Sequence, residues 1–307
     1  MQNKVLAVID IGSLKAKFEI KAFDENLNSK TLHKEVIKTE LLKDLHKNGN
    51  YIIEQSIINV VNAINSFKTK MQQHLVIKFD AITTEAFRKA KNSKEVLERI
   101  KKETGITLRI LDGKEEGKLL FTSISSDFKD EVIVVVDVGS ASVQVVIGKN
   151  NKIYRSYSFP TGTYAWFNQP VNRRFPTIEE TQKEFEWVKE QLKSLQDNGY
   201  NIKYLVYGTT SLIDFFKAMK FELVKIKRKA HEFYSDISDL KDLYEKVIKL
   251  PYEERSLLHP DDPYYMWGID KAFMNVITIS EYLKVNKIVP TNNNVSSGIF
   301  NELALKL

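Results

Sequence analysis

The chain has no cysteine, and this absence excludes several kinds of chemistry. Disulfide bonds, zinc sites built on thiolates and cysteine nucleophiles are all ruled out. Histidine is also scarce, and the five His residues are scattered without the spacing of metal ligands. No uninterrupted apolar run reaches the length of about 18 residues that a membrane span needs, so the sequence predicts no membrane partner.

The N-terminal stretch shows neither the charged and apolar regions nor the small-residue cleavage site of a signal peptide. We therefore expect no leader and a location in the cytoplasm. Basic runs interleaved with aromatic residues are also missing, so we expect no nucleic-acid partner. The net charge of +6 at pH 7 suits an anionic ligand such as a phosphate chain, although a lysine-rich composition accounts for it equally well.

Two short segments share one pattern, in which a buried strand ends in Asp and is followed by Gly and Ser. They are Asp10-Ile11-Gly12-Ser13 and Asp137-Val138-Gly139-Ser140. Gly lets the backbone turn sharply and present its N–H groups to an anion, and the Ser hydroxyl adds a donor. An Asp at a strand end commonly holds a divalent cation or its water. The repeat indicates an internal duplication and predicts two phosphate-binding turns, with purely structural hairpins as the alternative.

Hydrophobic periodicity predicts an α/β chain, because strand-like and helix-like patterns follow one another in both halves. Ser93 is expected to cap one helix and Gly105 to end it, and Thr177 with Glu180 predicts a capping box on another. Residues 220–262 are expected to be mostly helical. The other expected strands lie near 4–10, 16–23, 30–38, 75–79, 107–111, 131–137, 142–148, 151–158, 204–207 and 286–289, and the helices near 51–73, 84–90, 93–103, 114–124, 177–195, 209–219, 264–284 and 296–306.

The order and spacing of several further motifs resemble one family, the exopolyphosphatase and guanosine pentaphosphate phosphatase (Ppx/GppA) family of the actin-like ATPase superfamily. The resemblance covers nearly the whole chain. The matching segments are residues 7–13 and 136–142 around the two turns, Thr84 to Asn92, Thr104 to Ile106 with Gly113 to Gly117, and more weakly residues 158–162, 207–210 and 294–298.

The resemblance implies an α/β fold of two actin-like, ribonuclease H-like domains, each with a mixed β-sheet flanked by helices, and an interdomain cleft that binds a phosphate chain. The first domain is expected to comprise residues 1–125 together with about 286–307, and the second residues 126–285. A homodimer could extend the binding groove, although the sequence shows no interface.

The same resemblance assigns roles to individual residues. Arg88 would pair with a phosphate oxygen, and Glu116 would orient or deprotonate the attacking water. The alternatives are a solvated helix face for Arg88 and helix-dipole compensation for Glu115 and Glu116. Mg²⁺ is the implied cofactor, with Asp10 and Asp137 as candidate ligands. The candidate phosphate-binding residues are Asp10, Gly12, Ser13, Lys17, Asp137, Gly139, Ser140, Ala141, Ser142, Gly208 and Thr209.

The chain departs from the family at functional positions. Family members usually have three glycines in the second turn, where this chain has Gly139, Ser140 and Ala141. If those positions require positive φ, Ser and Ala each cost about 1 kcal/mol or more. Gln144 stands where the family has a second catalytic Glu, and an amide can orient water but cannot accept its proton. Lys17 stands where the first motif has Arg, which keeps the charge but loses the planar fork.

Three functions fit these observations. The first is a hydrolase that releases terminal phosphate from polyphosphate or from guanosine pentaphosphate (pppGpp), with Glu116 as base, Gln144 orienting water, and guanosine penta- or tetraphosphate as possible ligands. The second is a catalytically impaired phosphate- or nucleotide-binding sensor, which Gln144 favours. The third is an ATP-dependent, kinase-like member of the superfamily. The matches at Arg88 and Glu116 favour the first two over the third.

Overall fold

The structure is a computed structural model. It describes residues 4–45, 47–163, 178–196, 199–208, 212–259 and 265–306. Its strands are β1 Lys4–Ile11, β2 Lys15–Phe23, β3 Ser29–Lys38, β4 Lys78–Thr83, β5 Arg109–Ile110, β6 Ile133–Val138, β7 Val143–Lys149, β8 Lys152–Phe159, β9 Tyr204–Gly208, β10 Val224–Lys225, β11 Phe233–Asp236 and β12 Lys287–Thr291. Its helices are α1 Glu54–Gln73, α2 Glu85–Lys89, α3 Ser93–Thr104, α4 Gly113–Ser125, α5 Ile178–Leu192, α6 Leu212–Ala218, α7 Ile237–Val247, α8 Tyr252–Leu257, α9 Ile269–Leu283 and α10 Val295–Leu305.

The chain divides into two compact units. The first unit is Met1–Leu119 with Val295–Leu307, and the second is Leu120–Asn294. Within the residues that the structure describes, each unit is built on one mixed sheet with helices packed against it. No helix in those residues is both long enough and apolar enough to cross a membrane.

The sheet of the first unit has five strands among its described residues, in the order β3-β2-β1-β4-β5. Strands β1, β2 and β3 form an antiparallel meander, while β4 and β5 join β1 in parallel. Alternation along β2 buries Ala16, Phe18, Ile20 and Ala22, as the sequence predicts. Helix α1 packs on that buried face, where Phe67 stacks on Phe18, and α10 packs against β1 and β4.

The sheet of the second unit has seven strands among its described residues, in the order β10-β11-β12-β9-β6-β7-β8. Strands β6, β7 and β8 repeat the antiparallel meander of the first unit, and β9 and β12 extend the sheet in parallel from β6. Helix α9 is buried along almost its whole length and contacts α5, α7 and β6. The same meander therefore begins both sheets, which is the duplication that the two Asp-Gly-Ser turns predict.

The largest correction concerns the strand predicted near 286–289. The expected domain boundaries place this strand, together with the last helix, in the first domain. Strand β12 instead belongs to the second sheet, where Ile288 lies in register with Leu205 of β9 and with Ser235 of β11. Both Ile288 and Val289 are buried there, as is usual for an interior strand of a sheet with parallel pairing. Only helix α10 returns to the first sheet.

Smaller corrections concern element boundaries. The strand predicted near 75–79 lies at Lys78–Thr83, because Leu75 has a positive φ of 54° and belongs to a turn. The described part of the segment predicted to be mostly helical, residues 220–259, contains two short strands besides two helices. Ser93 lies inside helix α3 rather than capping it, whereas Gly105 ends the helix with a φ of 74° as predicted. Thr177, predicted to cap α5, lies outside the described residues.

Candidate functional site

The first predicted turn joins β1 to β2 and is held by backbone hydrogen bonds. The N–H of Gly12 donates to the carbonyl of Lys15 at 3.0 Å, and a Cβ on Gly12 would lie 3.1 Å from that same oxygen. Ser13 is buried, and its carbonyl accepts from the N–H of Leu42 at 3.0 Å. These hydrogen bonds to Lys15 and from Leu42 therefore hold the turn in one conformation before any ligand binds.

Asp10 lies at the end of β1, directly opposite Lys17 of β2. Desolvation raises the pKa of Asp10, and the charge of Lys17 opposes this shift. The two candidate residues of the first turn thus face each other on one side of the sheet.

Arg88 and Glu116 lie on α2 and α4, and the structure joins them directly. Nη1 of Arg88 donates to Oε2 of Glu116 at 2.6 Å and also to the carbonyl of Leu111. Nε and Nη2 both donate to Oε2 of Glu85, at 2.8 and 2.6 Å. Burial opposes the charge on Arg88, but the carboxylates of Glu116 and Glu85 outweigh it and raise the pKa of Arg88. Arg88 therefore holds the carboxylate of Glu116 in one orientation.

Asp112, the residue before α4, caps the helix that carries Glu116. The carboxylate of Asp112 accepts from the N–H groups of Lys114 and Glu115, both at 2.8 Å, which caps the helix. The donation from Glu115 is the main cause of the lowered pKa of Asp112. Glu115 points to a different partner and pairs with Arg109. The two adjacent acids are thus distinguished, because Glu116 is buried while Glu115 is only partly buried.

The second predicted turn, between β6 and β7, repeats the first in its backbone bonding. The N–H of Gly139 donates to the carbonyl of Ser142 at 2.9 Å, and a Cβ on Gly139 would lie 3.0 Å from that oxygen. Neither Ser140 nor Ala141 has a positive φ, so the strain that these residues could have introduced is absent. The loss of two glycines therefore leaves the backbone of this turn intact.

A loop after β8 supports the second turn at close range. The N–H of Thr163 donates to the carbonyl of Gly139 at 2.9 Å. Gly162 lies so close that a Cβ on it would be 2.4 Å from the carbonyl carbon of Ala141 and 2.5 Å from the backbone nitrogen of Ser142. The buried side chain of Asn275 in turn donates to the carbonyl of Thr161 at 2.9 Å. Gly at position 162 is therefore required for this contact.

Gln144 lies on β7 directly opposite Asp137 of β6. It is 2% exposed, and its Nε2 donates to the hydroxyl oxygen of Ser158 at 3.0 Å and to that of Ser142 at 3.3 Å. The amide group at the position of the second family carboxylate is therefore buried and hydrogen-bonded to the turn residue Ser142 and to the exposed residue Ser158.

The carboxyl ends of three parallel strands bring further residues side by side. Asp137 pairs in register with Gly208 of β9, and Gly208 pairs with Thr291 of β12. A Cβ on Gly208 would lie 2.5 Å from Cγ2 of Thr291, so Gly208 allows this close approach. Thr209, the other predicted residue here, lies outside the described residues.

Two residues that the sequence does not predict, Glu85 and Asn275, help to position the predicted site residues. Glu85 anchors Arg88, and its place three residues earlier on a helix is the signal that could have identified it. The support of the second turn by Asn275 had no such signal, because 114 residues separate it from Thr161.

The residues present offer only a partial metal site. Across the described ranges, no group of three or more Asp, Glu or His side chains gathers around one point. Asp10 and Asp137 provide one carboxylate in each unit, and carboxylate oxygen is a donor that Mg²⁺ accepts. Within each unit, a single carboxylate fits an ion that keeps several waters and is held partly by substrate phosphates, as is usual for Mg²⁺.

The duplicated meanders and turns define a protein of the α/β class, built from two mixed sheets with helices packed against them. The model of the Ppx/GppA phosphatase family matches residues 20–260, which is most of the chain. The chain therefore belongs to the Ppx/GppA phosphatase family.

Two known proteins are similar to parts of this chain in sequence. A bifunctional 3-dehydroquinate synthase/phosphatase of Fusobacterium nucleatum is 26% identical over 210 residues, which are 64% of this chain and 31% of that protein. Exopolyphosphatase 1 of Mycobacterium bovis is 34% identical over 101 residues, which are 31% of this chain and 29% of that protein. The matches thus span about a third of the length of these relatives.

A crystal structure of an Aquifex aeolicus member of the Ppx/GppA family shares the fold along the whole chain. Its TM-score is 0.80 at 22% sequence identity, and the match covers 99% of this chain and 98% of the other. At this identity the likeness supports the fold alone.

Proposed function

We propose that this chain hydrolyses the terminal phosphoanhydride bond of polyphosphate or of pppGpp. The observation that carries the proposal is the pairing of Glu116 with Arg88. It places a nearly buried carboxylate, in a fixed orientation, at the position where family resemblance puts the residue that handles the attacking water. A fixed carboxylate within hydrogen-bond reach of a water is what general-base catalysis requires.

In the proposed reaction, the oxygen of a water attacks the terminal phosphorus in line with the bridging oxygen. Glu116 accepts one proton from that water, and the bond from phosphorus to the bridging oxygen breaks with its electron pair staying on that oxygen, which becomes the new end of the shortened polyphosphate or nucleotide. The attacked phosphoryl group is released as inorganic phosphate. Arg88 has Nε and both terminal nitrogens already engaged with Glu85, Leu111 and Glu116. Its proposed role is therefore to position Glu116, and a contact with phosphate would require it to exchange one of these partners.

The turns supply the binding groups of the proposal. The N–H groups of Gly12 and Gly139 hold the turns closed. The backbone N–H groups of Ser13, Ser140 and Ala141 would therefore bind phosphate oxygens, with Lys17 adding a positive charge at the first turn. Asp10 and Asp137 are the proposed ligands of Mg²⁺, which would neutralise charge on the phosphates when bound.

The test is phosphate release from long-chain polyphosphate and from pppGpp in the presence of Mg²⁺. We expect Glu116→Gln to lower kcat by about 100-fold or more, since it removes the base but keeps the shape. Glu115→Gln is the matched control, because Glu115 lies on the same helical turn but pairs with Arg109, and it should change kcat only slightly. Release that survives Glu116→Gln would show that the base is a different residue.

One observation favours a second function, that of a phosphate-binding protein without turnover. Gln144 stands where the family has a carboxylate, and this buried amide is held by the hydroxyls of Ser142 and Ser158. If the wild-type chain binds polyphosphate or pppGpp but releases no phosphate, this second function replaces the first.

A further inference from the structure

A histidine of the second unit that the proposed reaction does not use lies between two other polar side chains. Nδ1 of His231 is 2.9 Å from Oδ2 of Asp127, and Nε2 is 2.9 Å from Oγ1 of Thr291. A carboxylate only accepts, so Nδ1 donates to Asp127 and Nε2 accepts from the hydroxyl of Thr291. His231 and Thr291 are only 4% and 1% exposed. His231 therefore determines the direction in which the hydroxyl of Thr291 points.

Asp127 holds His231 by its backbone as well as by its ring. The carboxylate of Asp127 accepts from the N–H groups of Lys229 at 3.1 Å, Ala230 at 3.2 Å and His231 at 2.9 Å. The imidazole also packs against the ring of Phe128, with 5.1 Å between the ring centroids. Together these contacts fix the position of the imidazole, and with it the position of the atom that accepts from Thr291.

Thr291 carries this constraint to the end of strand β9. Its Cγ2 lies so close to Gly208 that a Cβ on this glycine would be 2.5 Å away. Its Oγ1 accepts from the N–H of Asn293 at 3.1 Å. The carbonyl oxygen of Asn293 would in turn lie 2.9 Å from a Cβ on Gly208. Rotation of the Thr291 side chain away from His231 would disturb these contacts, so the bond to His231 sets the surroundings of Gly208.

The segment 291–293 also holds the beginning of helix α6. Oδ1 of Asn292 accepts from the N–H of Ile213 at 3.2 Å. Because Gly208 ends β9 and Ile213 lies in the first turn of α6, the segment contacts the chain on both sides of the connection between these two elements. The candidate phosphate-binding residues Gly208 and Thr209 begin this connection. A displacement of residues 291–293 would therefore reach them from both ends.

We infer that His231 is a positioning residue for phosphate binding at Gly208, and that it acts through its hydrogen bond to Thr291. The inference rests on the proposed function, and it takes Gly208 to be one of the groups that contact the substrate. His231 touches no reacting atom in this arrangement. Loss of its bond to Thr291 weakens substrate binding, whereas Glu116, which belongs to the first unit, keeps its own contacts.

The test compares two threonines that make the same kinds of hydrogen bond. Thr291→Val removes the hydroxyl that joins His231 and keeps the size of the side chain. Thr104→Val is the matched control, because Thr104 is also 1% exposed but lies on α3 in the first unit. Its hydroxyl donates to the carbonyl of Ile100 at 2.7 Å and accepts from the N–H of Ile106 at 3.1 Å. Both substitutions should lower the urea midpoint of unfolding to a similar extent.

Binding of inorganic triphosphate is measured in the Glu116→Gln background, so that the ligand is not hydrolysed, and kcat and KM are measured without that substitution. We expect Thr291→Val to raise Kd and KM by about five- to tenfold, the effect of one lost hydrogen bond. Because only binding is affected, kcat should change by less than about twofold. Thr104→Val should leave Kd, KM and kcat close to those of the parent protein. A loss of stability alone would not separate the two threonines in this way.

A double-mutant cycle tests whether the effect passes through the bond itself. His231→Phe removes the other partner of the bond and keeps an aromatic ring against Phe128. If the two side chains act through their mutual hydrogen bond, the combined substitution should weaken triphosphate binding little more than either substitution alone.

The inference is overturned if Thr291→Val binds triphosphate as tightly as Thr104→Val does, or if the effects of His231→Phe and Thr291→Val on Kd are fully additive. Failure of the proposed function is recognised separately. If the wild type releases no phosphate but the Kd values follow the expected order, the hydrolase proposal is wrong and the inference stands. If the wild type releases phosphate and Thr291→Val leaves KM unchanged, the hydrolase proposal stands and the inference is wrong.

Discussion

Arg88 and Glu116, separated by 28 residues, are joined by a hydrogen bond of 2.6 Å from Nη1 to Oε2, and the opposite edge of the same guanidinium is held by Glu85. The planar fork of Arg spans these two carboxylates and the carbonyl of Leu111 at the same time. A compact ammonium group cannot do so, since it presents one point of charge instead of a rigid fork. The orientation of Glu116 therefore depends on the shape of Arg88 as well as on its charge.

The first prediction follows from this geometry. Arg88→Lys should lower kcat for phosphate release by about 10-fold or more, because Glu116 loses its fixed orientation. It should also lower the free energy of unfolding by about 1 to 3 kcal/mol, since buried hydrogen-bond partners are left unpaired. Phosphate release and urea unfolding measure the two effects.

Arg109→Lys is the control for this prediction. Arg109 bridges Asp80 and Glu115 in a similar way, but it is more exposed and does not contact Glu116. We expect a smaller loss of stability and almost no change in kcat. If both substitutions lower kcat to the same extent, Arg88 acts through the general stability of the unit and not through Glu116.

The second prediction restores the missing carboxylate. Gln144→Glu should raise kcat, because the serine hydroxyls that now accept from the amide can rotate and donate to a carboxylate. It should also lower the free energy of unfolding by about 1 to 3 kcal/mol, since a charge is placed at a buried position. Gln144→Met, which keeps the size but has no polar group, should not raise kcat. A folded Gln144→Glu protein without any gain would show that this position alone does not limit turnover.

The hairpins were predictable because strand alternation is a local signal. Ala16 and Phe18 are buried by the same period of two that identifies β2 in the sequence. The membership of β12 was not predictable, since its apolar residues Ile288 and Val289 would suit a central position in either sheet. Only the pairing with β9 decides between them, and that pairing joins residues far apart in the chain.

The candidate site was likewise predictable in its local features and not in its tertiary contacts. Motifs identified Arg88 and Glu116 individually, but their contact with each other is non-local and could not be derived from spacing. The concern about Ser140 and Ala141 was also not decidable from sequence, because it depended on φ angles that proved to be ordinary. Residue type thus predicted which groups matter, whereas tertiary structure determined what each one does.

The third prediction concerns the loop that supports the second turn. Gly162→Ala should displace the turn, because the added methyl group meets the backbone of Ala141 and Ser142, which cannot move aside as a flexible side chain could. We expect a higher KM for the phosphate substrate and a free energy of unfolding lower by about 1 to 3 kcal/mol. Enzyme kinetics and urea unfolding would measure these changes.

Gly199→Ala is the comparison for this substitution. Gly199 has a φ of 70° and no atom within 4 Å of an added Cβ, so this substitution introduces backbone strain without a collision. We expect a loss of about 1 kcal/mol in the free energy of unfolding and an unchanged KM. A KM that is unchanged in Gly162→Ala as well would show that the turn does not bind the substrate.

The fourth prediction concerns pH and rests on His231 in the second unit. Its Nδ1 lies 2.9 Å from Oδ2 of Asp127, and its Nε2 lies 2.9 Å from Oγ1 of Thr291. Because a carboxylate only accepts, Nδ1 carries the proton and Nε2 accepts from the Thr291 hydroxyl. Burial lowers the pKa of His231, Arg228 lowers it further, and Asp127 opposes both without reversing the shift.

The sign of the effect follows from proton linkage. The unfolded chain binds a proton at His231 near its ordinary pKa of about 6.5, while the folded chain resists protonation until the pH is lower. The free energy of unfolding should therefore fall as the pH is lowered from about 7.5 to 5.5, and His231→Gln should reduce this dependence. Protonation of Asp127 does not contribute to the change in the free energy of unfolding in this pH range. Desolvation raises the pKa of Asp127, but hydrogen bonds from the N–H and the imidazole of His231 and from the N–H of Ala230 outweigh it and lower this pKa, so the contribution of Asp127 is lost only in more acidic solution. Urea unfolding of both proteins across this range is the measurement, and identical pH slopes would show that His231 is not the group responsible.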